Sequence, residues 1–217
     1  MEGCVLIPLK RLEASKSRLS KYLSVEERVE LTKCMLRDVL NVCLDSGFSR
    51  VLLITQGEID FIYDNKIEVI NNDKELNVAL LEAISSIKGR FNSYLILPAD
   101  IPLIEKSDLE QMKKLMESFD ILISPSFDSG TNALFMKRGK EIELEYGEGK
   151  KSFLLHLENA LNKGLNVVVF SNERIGMDID DLARLRYLAH LNINKESVLY
   201  VRRLYEKNRN IWLGRNT

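Results

Sequence analysis

Apolar residues along this chain fall into two alternating patterns. Short, near-continuous runs rich in Val, Ile and Leu stand at 4–9, 50–55, 67–70, 93–98, 120–125, 132–136 and 166–170. Runs of that kind suit β-strands covered on both faces. Between them, apolar positions recur every three to four residues, as on helices, over 24–47, 76–88, 107–118, 151–163 and 180–191. The first helix opens on Ser24 with Glu27 as a capping box and closes at Gly47. Leu31, Met35 and Val39, with Leu36, Leu40 and Cys43, form its apolar stripe. The helix near 107 is expected to be capped by Ser107, with Glu110 as the reciprocal partner. Strand–helix alternation predicts an α/β chain with a parallel or mostly parallel central sheet and helices on both faces. No low-complexity linker or repeat divides it, so one domain is expected, with its body at 1–194 and a helical tail with a polar end at 195–217. Val198, Val201, Leu204 and Tyr205 of that tail suit packing on the body or on a second copy of the chain, as in a homodimer.

Charge narrows the partners. The 31 basic and 32 acidic residues leave a formal net charge of -1, which argues against a general binder of nucleic acid or anionic membrane. It leaves room for a local basic pocket. No apolar run approaches a membrane span and the N-terminus lacks a signal-peptide pattern, so a cytoplasmic protein is expected. Cys4, Cys34 and Cys43 have no CxxC spacing and read as buried, reduced thiols. His156 and His190 lack a metal-ligand partner at useful spacing and read as structural.

In open α/β sheets, ligands bind beyond the carboxyl ends of the strands, so residues there that the fold does not require carry the chemical argument. After the first strand, Lys10, Arg11, Lys16 and Arg18 alternate with Ala14, Ser15 and Ser17. That composition suits a triphosphate, or equally a solvated basic loop. Neither a P-loop nor a GxGxxG fingerprint is present. In "LPADIP", a buried strand delivers Asp100 between two prolines. A carboxylate so mounted can share Mg2+ with substrate phosphates, or serve a turn. Asp178 and Asp180, two apart in "GMDIDDLARL", point to one side of an extended chain and suit a divalent cation or a capping cluster; Asp181 reads as the next helix's N-cap. A polar turn, Ser126 to Asn132, precedes a glycine-containing loop (Gly147, Gly149) that enters a helix at Ser152, a backbone suited to an anion.

In their order, "IPLKRLEASKSRL", "LPADIPLI", "GTNALF", "GEGKKSFLLHL" and "GMDIDDLARL" resemble the 2-phospho-L-lactate guanylyltransferases over residues 4–190. The resemblance implies a Rossmann-like, glycosyltransferase-A-type nucleotidyltransferase fold. It also implies transfer of GMP from GTP to 2-phospho-L-lactate, or to phosphoenolpyruvate, with release of pyrophosphate, in coenzyme F420 biosynthesis. On the matching positions, it implies that Asp100, Asp178 and Asp180 hold Mg2+ or Mn2+ and that Lys16 and Arg18 meet the GTP phosphates. Thr131, Ser152 and either Gly147 or Gly149 would take the phospho-acid, and Asn77 would lie near the nucleotide. Glu75 stands where many members carry glycine before the Leu-Asn pair. Two other readings compete: a nucleotidyltransferase for a sugar phosphate or a molybdopterin, and a nucleotide-binding module without catalysis.

Overall fold

A computed structural model describes residues 2–147 and 149–212, with backbone alone at 209–211. The expected polar end of the tail, 213–217, lies outside the described residues. Seven strands form one sheet: β1 (Gly3–Leu9), β2 (Arg50–Thr55), β3 (Ile67–Asn71), β4 (Ser93–Ile96), β5 (Ile121–Pro125), β6 (Thr131–Lys137) and β7 (Val167–Val169). Their spatial order is β3-β2-β1-β4-β6-β5-β7. Every neighbouring pair is parallel except those of β6, which runs antiparallel to both β4 and β5. The sheet is therefore mostly parallel, and each apolar run of the sequence supplies one strand.

The helices are α1 (Val25–Asp45), α2 (Leu76–Ser86), α3 (Lys106–Leu115), α4 (Ser152–Asn162), α5 (Glu173–Gly176), α6 (Leu182–His190) and α7 (Glu196–Trp212). Alternation along the strands sorts their side chains onto two faces. Val5, Ile7, Leu53 and Phe135 meet α1 and α3 on one, and Leu6, Leu52, Tyr94 and Leu134 meet α2 and α4 on the other. Helix α1 is buried on two sides. Its Leu36, Val39, Leu40 and Cys43 face the sheet, whereas Leu31 and Met35 face α6 and α7. Val198, Val201 and Leu204 are buried in that same third cluster, so the tail's apolar stripe packs on this chain's own body. Asp38 of α1 caps α7 from outside it, accepting the backbone N–H of Glu196 at 3.0 Å and of Ser197 at 2.9 Å. Among the described residues no helix is long and apolar enough to cross a membrane. The three cysteines are buried and free, and burial pushes each thiol up to about 12.

One capping assignment changes. Ser24 and Glu27 form the expected box on α1, but α3 is capped by Glu105 with Asp108, not by Ser107 with Glu110. Asp108 is fully buried and accepts the Glu105 N–H at 2.9 Å, the Asn172 amide at 2.9 Å and Arg174 Nε at 2.9 Å. Ser107 is exposed and stands already as the second residue of the helix, two places after the cap. Burial works against the Asp108 charge, but the Arg174 and backbone hydrogen bonds prevail and hold its carboxyl below the usual aspartate range. Asp108→Ala is expected to cost about 3 kcal/mol in urea unfolding, because it strands Arg174 and two further donors. A loss under about 1 kcal/mol would show that Arg174 finds solvent instead.

Candidate active site

Chain connections from β1 lead outward to β2 and β3, and the next strand, β4, returns to β1's other side. The loops after β1 and β4 therefore part company at the carboxyl edge, and the crevice between them is where an α/β sheet takes ligands. Lys16 enters this crevice from the β1 loop with left-handed backbone, φ 55 and ψ 37. That conformation costs a side-chain-bearing residue about 1 kcal/mol. Full burial of Leu19 against α6 and α7 returns about 2 kcal/mol, and Arg28 Nη1 holds the Ser15 carbonyl at 2.6 Å. The loop is thus anchored on both sides of Lys16.

Its ammonium lies between two carboxylates, 2.7 Å from Asp100 Oδ2 and 2.6 Å from Asp180 Oδ1, with only 5% of the side chain exposed. Burial opposes the charge, yet the two aspartates outweigh it and hold Lys16 above the ordinary lysine value. The Asp180 carboxyl is likewise penalised by burial but held down by Lys16 and, more weakly, Arg18, whose Nη1 is 3.8 Å away. The Ile179 N–H donates to the Asp100 carbonyl at 2.9 Å, and the Ile179 side chain is fully buried. This staple fixes the 178–180 segment beside Asp100.

Asp178 takes a different partner. Arg184 Nη1 lies 3.4 Å from its carboxylate and the Asn132 amide 3.5 Å. Burial, then the negative charges of Asp100 and Asp180, push the Asp178 carboxyl upward. The three aspartates therefore share one electrostatic neighbourhood, although no group of three or more potential ligands among the described residues is arranged to hold a metal. The space between Asp100 and Asp180 is filled by the Lys16 ammonium.

A second polar centre is built by a bulge in β6. Ser124 pairs with Ala133, but the next residue, Pro125, pairs with Thr131, which leaves Asn132 as the extra residue. On a regular strand Thr131 would share the face of Ala133 and Phe135. The bulge turns it onto the α4 face instead, and sends Asn132 toward Ile175, whose carbonyl accepts the Asn132 amide at 2.7 Å. Thr131 Oγ1 meets His156 Nδ1 at 2.9 Å and the Ser152 hydroxyl at 3.2 Å. Gly130 closes the preceding turn where a Cβ would come within 2.8 Å of Ser126 Oγ. In the loop before α4, Gly149 has φ +74, which favours glycine. Gly147 accepts the Lys150 N–H at 3.2 Å. Asn77 gives its side chain to this loop, bonding both the Tyr146 carbonyl, at 2.9 Å, and the Tyr146 N–H, at 3.0 Å.

Burial lowers His156 from 6.5 to about 4, a nearby Glu145 charge opposing only in part. The folded state therefore favours neutral imidazole. Its contribution to stability is complete above about 6.5 and is lost as pH falls toward about 4. In that window the folding equilibrium is expected to weaken by up to about tenfold per pH unit from this group. Urea unfolding at stepped pH checks this: His156→Phe should show a shallower acid slope than wild type.

Beside the basic loop, a cavity of about 400 Å³ opens at the ends of β1, β2 and β3, lined by Arg11, Thr55, Gln56, Gly57, Asn71 and Asp73. It is large enough for a nucleoside.

The family model of "Guanylyl transferase CofC like" proteins matches residues 3–207. The chain belongs to the CofC-like guanylyl transferase family. It is 38% identical over 209 residues to the 2-phospho-L-lactate guanylyltransferase of Methanocaldococcus sp. (strain FS406-22), covering 89% of each chain. With that of Methanocaldococcus jannaschii it shares 39% over 179 residues, 81% of this chain and 77% of the relative. Among solved structures, a Desulfovibrio desulfuricans G20 protein described as a nucleotide-diphospho-sugar transferase superposes with TM-score 0.81 over 100% of both chains at 15% identity. The Francisella tularensis 2-C-methyl-D-erythritol 4-phosphate cytidylyltransferase gives TM-score 0.57 at 16% identity, over 86% of this chain and 98% of that one. These structures bear on the fold alone: the nucleotidyltransferase α/β fold. As a CofC-like protein the chain is a nucleotidyltransferase of the guanylyl-transferring type.

Against that identity, the structure gathers Lys16, Asp100 and Asp180 in one contact set, Arg18 at its rim, and Asp178 adjoining it through the 178–180 staple. Thr131 and Ser152 form the second centre. Two charged or polar members have no sequence signal of their own. Arg184 meets Asp128 at 3.0 Å as well as Asp178, and a helical arginine gives no hint of that bridge. The ring of His156, for which a structural role was expected, contacts the second centre directly. His190 sits edge-on to Tyr205, with ring centroids 5.1 Å apart.

Proposed function

We propose that this chain joins the GMP moiety of GTP to 2-phospho-L-lactate, or to phosphoenolpyruvate, giving lactyl-2-diphospho-5'-guanosine from the former and releasing pyrophosphate, a step of coenzyme F420 biosynthesis. The observation that carries this reading is the β6 bulge. Adjacent residues there serve two centres: Thr131 joins a hydroxyl pair suited to a small phospho-acid, and Asn132 reaches Asp178 in the charged crevice. Two polyanions that must react in line need two such compartments at touching distance.

The nucleoside fits the cavity beyond β1–β3, which leaves the triphosphate running across the Lys16 loop. Lys16 and Arg18 orient its phosphates and oppose their charge. Thr131, Ser152 and the Gly147–Gly149 backbone bind the acceptor's phosphate and carboxylate, and Asn77 holds that loop through Tyr146. An acceptor phosphate oxygen is already anionic at neutral pH, so attack on the α-phosphorus needs no side chain as base. The residues fit a divalent cation, since Asp100 and Asp180 already share one positive charge and Mg2+ takes one or two carboxylates with substrate phosphates. Mg2+ or Mn2+ held by Asp100 and Asp180, with Asp178 beside them, would supply neutralisation of the charge that builds up on the phosphates.

Pyrophosphate release over a panel of nucleoside triphosphates, phospho-acids and sugar phosphates, each with Mg2+ or Mn2+, tests the proposal. GTP with 2-phospho-L-lactate or phosphoenolpyruvate should give the highest kcat/KM. Turnover of a sugar phosphate with no turnover of either phospho-acid would overturn it.

A further inference from the structure

His156 is fully buried and does nothing in the reaction described above, yet all of its polar capacity is committed. Its Nε2 accepts the backbone N–H of Glu145 at 2.8 Å. A ring nitrogen that accepts from an amide carries no proton, so the proton of the neutral ring sits on Nδ1. Burial keeps the ring neutral at working pH. The Nδ1–H therefore donates to its partner at 2.9 Å, Thr131 Oγ1. The Ser152 hydroxyl donates to the same oxygen from 3.2 Å.

A threonine hydroxyl has two acceptor lone pairs and one proton. With both lone pairs taken by His156 and Ser152, the Thr131 proton is left to point away from both. We propose that His156 is a positioning residue that makes the Thr131 hydroxyl an obligate donor toward an anionic oxygen of the bound phospho-acid. It acts through Thr131 without touching the substrate. The Tyr146 ring, edge-on to the imidazole with centroids 4.7 Å apart, closes the remaining side of the pocket. Glu145 thereby fixes the tautomer, the tautomer fixes the hydroxyl, and the hydroxyl selects an acceptor of hydrogen bonds over a donor. A phosphate or carboxylate oxygen meets that demand; a neutral hydroxyl meets it less well, because it lacks charge assistance.

This inference rests on the phospho-acid reading of the Thr131–Ser152 centre, and its test separates the two. Asparagine at 156 keeps an N–H where Nδ1 stands, whereas phenylalanine keeps the ring's bulk against Tyr146 and removes the donor. In His156→Phe the KM for 2-phospho-L-lactate should rise about tenfold or more, the scale of one hydrogen bond to a charged group. Its kcat and its KM for GTP should stay within about twofold, and His156→Asn should recover most of the acceptor KM. Equal acceptor KM values for the two variants, or a GTP KM that moves as far as the acceptor's, would overturn the assignment. Imidazole ¹⁵N spectra of the wild-type protein at pH 7 give a second arm that needs no turnover and no variant. They should show the Nδ1–H tautomer and a shift of Nδ1 when 2-phospho-L-lactate alone is added. An Nε2–H tautomer overturns the positioning role. A wild-type enzyme with the Nδ1–H tautomer but no turnover of any phospho-acid overturns the acceptor reading, and with it the obligate-donor role toward a phospho-acid.

Discussion

Asp100→Asn is expected to lower turnover on the order of 10³-fold or more while leaving the melting temperature within a few degrees, since the loss falls on transition-state charge stabilisation. The argument is geometric. Asp100 stands at the end of a buried strand, its carbonyl is stapled by the Ile179 N–H at 2.9 Å, and its carboxylate is the first of two around the Lys16 ammonium. An amide preserves shape and removes the charge that Lys16 and an incoming cation both require. Because Asp180 still pairs with Lys16, the fold keeps its internal counter-ion. Pyrophosphate release titrated with Mg2+ and Mn2+ is the measurement. Wild-type turnover with wild-type metal dependence would remove Asp100 from the mechanism.

Lys16→Met should move two quantities in opposite directions. Methionine fills much of the buried stem's volume but leaves Asp100 and Asp180 facing each other with no cation between them. Turnover is expected to fall on the order of 10²-fold, since one charged contact to the triphosphate is gone. Mn2+ binding to the nucleotide-free protein, followed by electron paramagnetic resonance, should tighten by about tenfold, because no ammonium competes for the carboxylates. A purely structural lysine predicts the reverse for the metal, as a disordered pair of loops would bind it less well. Weaker Mn2+ binding together with a collapsed melting temperature would therefore count against the charge-exchange account.

Much of the architecture was legible from the pattern of apolar residues, and the reason is physical. A strand buried on both faces must be apolar throughout, so β1, β2, β4 and β5 each betray themselves in four to seven residues. The mounting of Asp100 was legible for the same cause: a lone acid after such a run has no packing reason to be there. Contacts between distant charges leave no such trace. Lys16 meets Asp100 and Asp180 across 84 and 164 residues of chain, and periodicity is silent about pairs of that kind. Helix α3 shows the ambiguity at its sharpest. Glu105 with Asp108 and Ser107 with Glu110 are overlapping caps, and local preference favours the serine. Burial of Asp108 under Arg174, 66 residues further on, decides between them. The short helix α5 was missed although Asn172 caps it, because four residues are too few for a periodic signal.

The bulge at Asn132 also has a bearing on how tolerant this segment is to insertion and deletion. Hydrophobic patterning on both sides of it is unremarkable, so a chain one residue shorter there would still present Ala133, Leu134 and Phe135 to their proper layers. Such a chain would be stable by most measures. With Asn132 removed, Thr131 would directly precede Ala133, and alternation would keep it on the α4 face with Ser152 and His156, while Ile175 and Asp178 would lose the Asn132 amide. Loss of this single position thus removes one amide from the charged crevice and leaves the layers in register. Screens that score only expression or melting would pass it as a success.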